Sequence, residues 1–236
     1  MLTRFFKKFI VNSSRIYLDR FCERAGKTLR STDLVLDAGA GKAPYKKHFA
    51  HAKYESADFC EVNKPYYDSL THVCSLESIP VEDSRYDAVI LTQVLEHIPE
   101  PQVVLAELNL VTKSGGKLWL TVPLFYPEHE QPYDFFRYTQ FSLTRLCEQA
   151  GYELEEIEWL EGYFGTLGFQ MEFVARNIPI FPSPNKSLMD FIRAPVFLIL
   201  RLALTLLAIW FYRLDLTIKL TTSRQCKNYA LIAIKK

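Results

Sequence analysis

The stretch Val35–Tyr45, VLDAGAGKAPY, decides how the chain is read. An apolar run ends in a carboxylate, Asp37, and then almost every side chain disappears over Ala38–Gly41 before Pro44. The run is continuous rather than alternating, which suits a parallel strand buried on both faces. In doubly wound α/β sheets ligands bind outside the carboxyl ends of the strands. A glycine turn there lets the backbone approach a ligand and aim N–H groups at it. Gly39 and Gly41 supply that turn. Asp37 suits a cation or a hydrogen-bond donor, since a carboxylate at the mouth of the turn would repel a phosphate.

Outward from this stretch, strand and helix patterns alternate. Residues 14–27 carry Ile16, Leu18, Phe21 and Ala25 as the apolar positions of a helix. Pro44 stands where a further helix would open. KYESAD (53–58) reads as a second strand ending in Asp58, and THVC (71–74) as a weak third. YDAVILTQV (86–94) is a strong fourth, followed by the helix PQVVLAELNLV (101–111). Gly115-Gly116 breaks the chain before a fifth strand, KLWLTV (117–122). A helix over 140–150, a half-exposed strand YELEEIEWL (152–160) and a last strand NYALIAIKK (228–236) complete the pattern. Such alternation predicts an α/β fold, a doubly wound and mostly parallel seven-stranded sheet. Residues 162–220 depart from it. They are expected to form a hydrophobic helical insertion before the last strand. A helical segment over 1–30 would precede the main domain, formed by 31–161 plus 221–236.

The chain has 236 residues, 49% of them hydrophobic, which is enough for a substantial core. A formal net charge of +1 leaves no basic excess for a phosphate backbone and argues against a nucleic-acid substrate. The five cysteines, Cys22, Cys60, Cys74, Cys147 and Cys226, are odd in number and form no C-x-x-C pair. They read as buried apolar thiols of a protein in a reducing compartment, not as a disulfide framework or a zinc knuckle, and no metal is expected. The basic, aromatic N-terminus lacks a long apolar core and a small-residue cleavage site, so no secretory signal is expected.

The ligand at the glycine turn can be narrowed. A dinucleotide fingerprint needs a third glycine where Pro44 stands, which speaks against a nucleotide-dependent oxidoreductase, and there is no Walker loop. An acidic residue about 20 positions on, at the end of the second strand, typically holds ribose hydroxyls. Asp58 occupies that place. The pair Asp37 and Asp58 suggests a small ligand with an amino group and a ribose.

VLDAGAGKAPY, ESADF, SLESIPVEDSRYDAVILTQVLEHIPEP and LVTKSGGKLWLTVP together resemble the successive motifs of class I S-adenosylmethionine-dependent methyltransferases. The likeness runs from about Ser31 to Leu160 and includes the last strand. It is strongest to the small-molecule group with an E-H-[IVL]-P element after strand four. The resemblance implies a Rossmann-like methyltransferase fold with S-adenosylmethionine as cofactor. By position, Asp37, Gly39 and Gly41 would hold its methionine moiety and Asp58 its ribose. Ser75 and Leu76 would border the adenine, and Gln93 would face the methionine end. Many relatives have an aspartate in place of Ser75. The hydroxyl accepts the adenine amino group's hydrogen bond less strongly than a carboxylate.

A sulfonium methyl is already activated, so positioning carries most of the rate, while a hydroxyl or amine acceptor must also lose a proton. His97, after strand four, and His129, after strand five, are the candidate bases. The segment Phe125–Tyr138 is dense in aromatic residues around His129, Asp134 and Arg137. Arg137 is the candidate to bind an anionic group of the acceptor. Similar H-x-x-P-x-D-[FY]-[WF]-R-[FY]-T stretches in methyltransferase relatives encoded among surface-glycan genes imply a sugar or lipid-linked acceptor. The reading from a different class is a cofactor-binding module without catalysis, acting as a membrane-associated interaction protein.

Pro179, Pro182 and Pro184 mark a loop, after which Ala194–Tyr212 runs with one charge, Arg201. This is nearly long enough to span a bilayer. A return of the last strand to the same sheet would put both of its ends on one side. Arg201, Thr205, Ala208 and Tyr212 fall on one helical stripe and the rest is apolar. The stretch reads as a helix buried in the domain or in a homodimer, as a peripheral helix in a membrane interface, or as a true span. Arg4, Lys7 and Lys8 favour membrane proximity. The expected place is the cytoplasm, at the inner face of the membrane if this contact is made.

Overall fold

The computed structural model describes residues 12–60, 70–179, 188–223 and 225–236. The basic N-terminal segment with Arg4, Lys7 and Lys8, and the prolines Pro182 and Pro184, lie outside the described residues. The chain divides into two compact units. The larger comprises Leu18–Leu160 and Asn228–Lys236, and the smaller comprises residues up to Tyr17 together with Glu161–Lys227.

In the larger unit the apolar run forms β1 (Leu34–Ala38), with Val35, Leu36 and Ala38 fully buried. Parallel strands flank it on both sides, β2 (Lys53–Asp58) and β4 (Tyr86–Thr92). The short β3 (His72–Val73) pairs with the outer edge of β2, and β5 (Thr112–Pro123) runs parallel to β4. The last strand, β7 (Asn228–Lys235), lies antiparallel between β5 and β6 (Tyr152–Trp159). The order is β3-β2-β1-β4-β5-β7-β6, a seven-stranded sheet with one antiparallel member. After β1 the chain winds outward to β2 and β3, then returns across β1 to β4. The topological switch point therefore lies between the carboxyl ends of β1 and β4.

Helix α1 (Ser13–Thr28) begins in the smaller unit and ends in the larger. It buries Leu18, Phe21, Cys22 and Ala25, the spacing of one helical face. Helix α2 (Pro101–Val111) starts at a proline, which is pre-set for a first turn, and buries Val104, Leu105, Leu108 and Val111. Helix α3 (Gln140–Gln149) is opened by a capping box between Thr139 and Ser142, and Gly151 at φ +84° follows it.

Two local expectations are corrected. No α-helix follows Pro44; the short span before β2 holds one 3₁₀ turn, Lys46–Phe49, anchored by the fully buried Phe49. Strand β5 starts before the glycine pair, not after it. Thr112 pairs with Tyr86 and Lys117 with Ala88, so the intervening residues bulge, and Gly115 takes φ +75°. None of the five cysteines forms a disulfide; Cys22, Cys147 and Cys226 are buried, and Cys60 and Cys74 only half-buried.

The smaller unit holds α4 (Tyr163–Asn177) and α5 (Leu188–Thr217), which pack side by side. A Cβ on Gly165 would meet Asp215 at 2.5 Å, and one on Gly168 would meet the Ala208 carbonyl at 3.1 Å, so these glycines permit the close approach. Polar groups lie inside the contact. The buried Tyr212 hydroxyl donates to Glu172 at 2.6 Å, and the Tyr17 hydroxyl donates to the Asp215 carbonyl at 2.8 Å. The stripe of Ala208, Tyr212 and Asp215 is buried, while Ile199, Leu202, Leu206 and Trp210 are exposed. The reading of α5 as a helix buried in the domain is thus corrected: 6% of its most apolar window is buried.

Candidate active site

At the carboxyl end of β1 the chain turns over Gly39 (φ +72°) and Gly41 (φ +51°), a backbone that other residues adopt only with strain. A Cβ on Gly39 would lie 2.5 Å from the Val94 side chain, so glycine is required for β1 and the turn after β4 to meet. A Cβ on Gly41 meets nothing within 4 Å. It would project into open space at the cavity wall. The turn is pinned to β2: the N–H groups of Gly39 and Ala40 donate to the Ala57 carbonyl at 2.8 and 3.2 Å. The Gly41 N–H donates to the Asp58 carboxylate at 3.0 Å, and the Cys60 N–H to its other oxygen at 3.1 Å. A carboxylate has about four acceptor positions. Two of those on Asp58 remain for a ligand.

A cavity of about 520 Å³ opens at this point, within the usual range for a small-molecule site. Gly39, Gly41, Asp58, Ser75, Leu76, Gln93 and His97 all line it. Residues from three strand ends and the β3–β4 connection are thereby brought together. Its further walls include Ile98 and Pro99 of the E-H-I-P element, and Lys42, Phe59, Glu130 and Tyr133, which were not singled out in the sequence as site residues. Gln93 holds φ +56°, rare for a residue with a Cβ, while its N–H donates to the Thr121 carbonyl at 2.8 Å and its side-chain amide to the Thr121 hydroxyl at 3.3 Å. Ser75 Oγ accepts from the Glu77 N–H at 3.2 Å, leaving its proton to donate.

Three of the expected site residues are not on that wall. Asp37 is 3% exposed and accepts a hydrogen bond from the Tyr54 hydroxyl at 2.6 Å. Burial pushes its carboxyl up to about 6 against the Tyr54 bond, and the nearby Asp58 charge adds to the rise. It is the last residue but one of β1, immediately before the glycine turn.

The other two, His129 and Arg137, belong to the loop after β5. That loop is fastened to the 3₁₀ turn Leu95–His97: the N–H groups of Phe135 and Phe136 donate to the Glu96 carbonyl at 2.9 and 3.3 Å, and the Tyr138 hydroxyl to the Leu95 carbonyl at 3.1 Å. His129 stands edge-on to His97, with ring centroids 4.6 Å apart. Its Nδ1 lies 3.2 Å from Asp134, which also accepts from the His129 backbone N–H at 2.8 Å. His97 Nδ1 donates to the Tyr133 carbonyl, which can only accept, so Nε2 carries the lone pair of the neutral ring. Burial lowers the His97 pKa and favours that neutral form.

Arg137 corrects its expected role. Its five N–H donors go to Asp134 Oδ1 and Oδ2 and to the carbonyls of Tyr126, Phe136 and Pro127. None is left for an acceptor's anion. The guanidinium holds Asp134 well below the usual carboxylate range, so Asp134 stays ionised and orients His129.

Glu96 was quoted in the sequence but not singled out. It is fully buried, burial pushes its carboxyl up to about 8, and neither oxygen has a hydrogen-bond partner. The signal that could have found it is a carboxylate flanked by histidine and buried apolar residues.

The sequence matches the family described as "Methyltransferase domain" over residues 13–157. The chain belongs to the S-adenosylmethionine-dependent methyltransferases. The methyltransferase uses S-adenosylmethionine as its cofactor, and the glycine turn, the open face at Gly41 and the spare capacity of Asp58 fit that ligand. No curated protein sequence matches the chain. Among solved structures it is similar to the 4+2 cyclase SpnF (TM-score 0.56, 17% identity, 92% of this chain and 81% of that one). An S-adenosylmethionine-dependent methyltransferase from Archaeoglobus fulgidus gives a TM-score of 0.53 at 17% identity, covering 94% of each chain. Phosphoethanolamine N-methyltransferase 2 of Haemonchus contortus, in complex with S-adenosyl-L-methionine, gives 0.54 at 14% identity, covering 95% of this chain and 52% of that one. At these identities the likeness establishes the fold.

Proposed function

We propose that this methyltransferase methylates an oxygen or nitrogen of a small-molecule, sugar or lipid-linked acceptor. The observation that carries the reading is a single cavity lined at once by Asp58 with the glycine turn and by the neutral, half-buried His97. The cofactor supplies an activated sulfonium methyl group. Gly39, Gly41 and Gln93 hold its methionine end, Asp58 its ribose, and Ser75 and Leu76 border its adenine; Asp37 acts through the turn. His97 Nε2 is the proton acceptor at the cavity wall. His129, oriented by Asp134, packs on it and keeps it placed, and Arg137 is a positioning residue. Glu96-His97-Ile98-Pro99 supports placement in the small-molecule group with the E-H-[IVL]-P element.

The experiment is methyl transfer from labelled S-adenosylmethionine to a panel of free sugars, sugar-lipids and small amines. Label in an acceptor is expected. Cofactor binding with no transfer to any panel member would favour the non-catalytic binding module. The SpnF structure, described as a cyclase, is the likeness that keeps the chemistry of this fold open to test, since one fold hosts different activities.

We further propose that α5 makes peripheral membrane contact from the cytoplasmic side. Its polar stripe faces α4 and its apolar side faces out, the reverse of a helix that meets water. Exposed residues from Val196 to Trp210 give an apolar face about 20 Å long at 1.5 Å per residue. Exposed Arg193 and Arg213 flank it. That pattern suits an interfacial helix with cations reaching anionic headgroups, and self-association through 194–212 is the competing outcome.

A further inference from the structure

The unpartnered Glu96 points to a site that the methyl-transfer reading does not use. A fully buried carboxylate with two bare oxygens needs a proton or a cation. Two imidazoles stand beside it. His97 Nε2 lies 3.7 Å from Glu96 Oε1, and one ligand atom from each of Glu96, His97 and His129 falls within 4.8 Å of the others. Among the described residues no other such group of three is found.

The remaining nitrogens of both rings are committed. His97 Nδ1 donates to the Tyr133 carbonyl and His129 Nδ1 to Asp134, which Arg137 grips with two hydrogen bonds at 2.6 and 2.8 Å. Each Nε2 is thereby left with a lone pair directed away from its anchor. Histidine ligands of metal ions show this arrangement, with the far nitrogen donating to a carbonyl or a carboxylate.

We propose that Glu96, His97 and His129 bind a divalent first-row transition-metal ion. Two imidazoles and one carboxylate favour zinc or cobalt over magnesium, which prefers oxygen donors. Ligand atoms around a four-coordinate ion at the usual bond lengths are about 3.4 Å apart. Closing the site therefore takes about an ångström of movement. Three protein ligands leave a coordination position open, and His97 lies at the cavity wall. The open position takes a hydroxyl of the acceptor. Coordination favours loss of that hydroxyl's proton to solvent water, with the O–H electron pair staying on oxygen. This purpose rests on the methyl-transfer reading and makes His97 a ligand in place of a base and His129 a ligand in place of a positioning residue. The binding itself does not rest on it.

The test uses the full chain, stripped with chelator and titrated with ZnCl₂ by calorimetry and with CoCl₂ by visible absorption. One ion per chain is expected, with a cobalt ligand-field band and without the thiolate charge-transfer band that binding at cysteine would give. Zinc should raise the melting temperature. Glu96→Gln and His129→Asn should each weaken binding at least tenfold, and His51→Gln, on an exposed residue away from the cluster, should not. S-adenosylhomocysteine is titrated into the same samples. Absence of a stoichiometric ion in the parent chain, or equal affinity in Glu96→Gln, His129→Asn and the parent, overturns the metal site. If S-adenosylhomocysteine still binds, the cofactor site survives the loss of the metal site, and the acceptor panel then tests His97 as base. If it also fails to bind, the methyl-transfer reading falls separately.

Discussion

The backbone N–H of Gly41 donates to the Asp58 carboxylate at 3.0 Å, joining the turn after β1 to the end of β2. One side chain thus holds the glycine turn in shape while keeping acceptor positions for ribose hydroxyls. Asp58→Ala removes both functions. Affinity for S-adenosylhomocysteine, measured by calorimetry, should fall at least tenfold, about 1.4 kcal/mol. Unchanged affinity with an intact fold would remove Asp58 from the site.

Asp37 gives a pH signature. Its folded carboxyl titrates at about 6, raised first by burial, whereas in the unfolded chain it titrates near 3.8. The folded state therefore binds the extra proton, and stability falls as pH rises from about 4 to about 6. A separation of that size corresponds to about 3 kcal/mol. Asp37→Asn keeps an oxygen for the Tyr54 hydroxyl and cannot ionise. Denaturant melts across this range should show the variant losing the downward slope and gaining relative stability above pH 6. Parallel curves for the two proteins would mean that Asp37 is not desolvated.

Arg137 is predicted to act on the loop, not on the acceptor. Arg137→Lys cannot reproduce a five-donor fork. It leaves Asp134 with a poorer partner, and roughly 2–4 kcal/mol of stability should be lost. Affinity for S-adenosylhomocysteine should stay within about twofold. An unaltered thermal melt would return Arg137 to the role of an acceptor-binding residue.

Charge on the outer side of α5 tests the membrane proposal. The parent protein should float with vesicles containing anionic phospholipid, and Leu202→Glu with Leu206→Glu should abolish flotation without altering the melt, both positions being 58% exposed. A monodisperse monomer that ignores vesicles contradicts the proposal. A stable dimer that ignores them assigns the face to a second copy.

The parts of this account legible in the sequence are those set by local pattern. The continuous apolar run, the glycines after it and the aspartate ending the next strand are each read over a few residues, and they place one end of the cavity. What depends on distant segments was not legible. That Arg137 is consumed by Asp134 and three carbonyls follows from how the loop after β5 folds back on itself. That Glu96 is buried without a partner follows from the same loop covering the turn after β4. For α5 the periodicity found the right stripe but not its direction. Helical spacing separates two faces without saying which one meets a neighbour, and here glycines in α4 draw the polar face inward.

The central claim, that the turn after β1 is a cradle for S-adenosylmethionine, is tested most directly by titrating S-adenosylhomocysteine into the parent protein and into Gly41→Val. Valine at this position fills open space at the cavity wall and strains a backbone at φ +51°. The account predicts one site per chain in the parent, with affinity on the order of micromolar, and no measurable binding in a Gly41→Val protein that still folds by circular dichroism. Equal binding by the two proteins, or none by the parent, would contradict it.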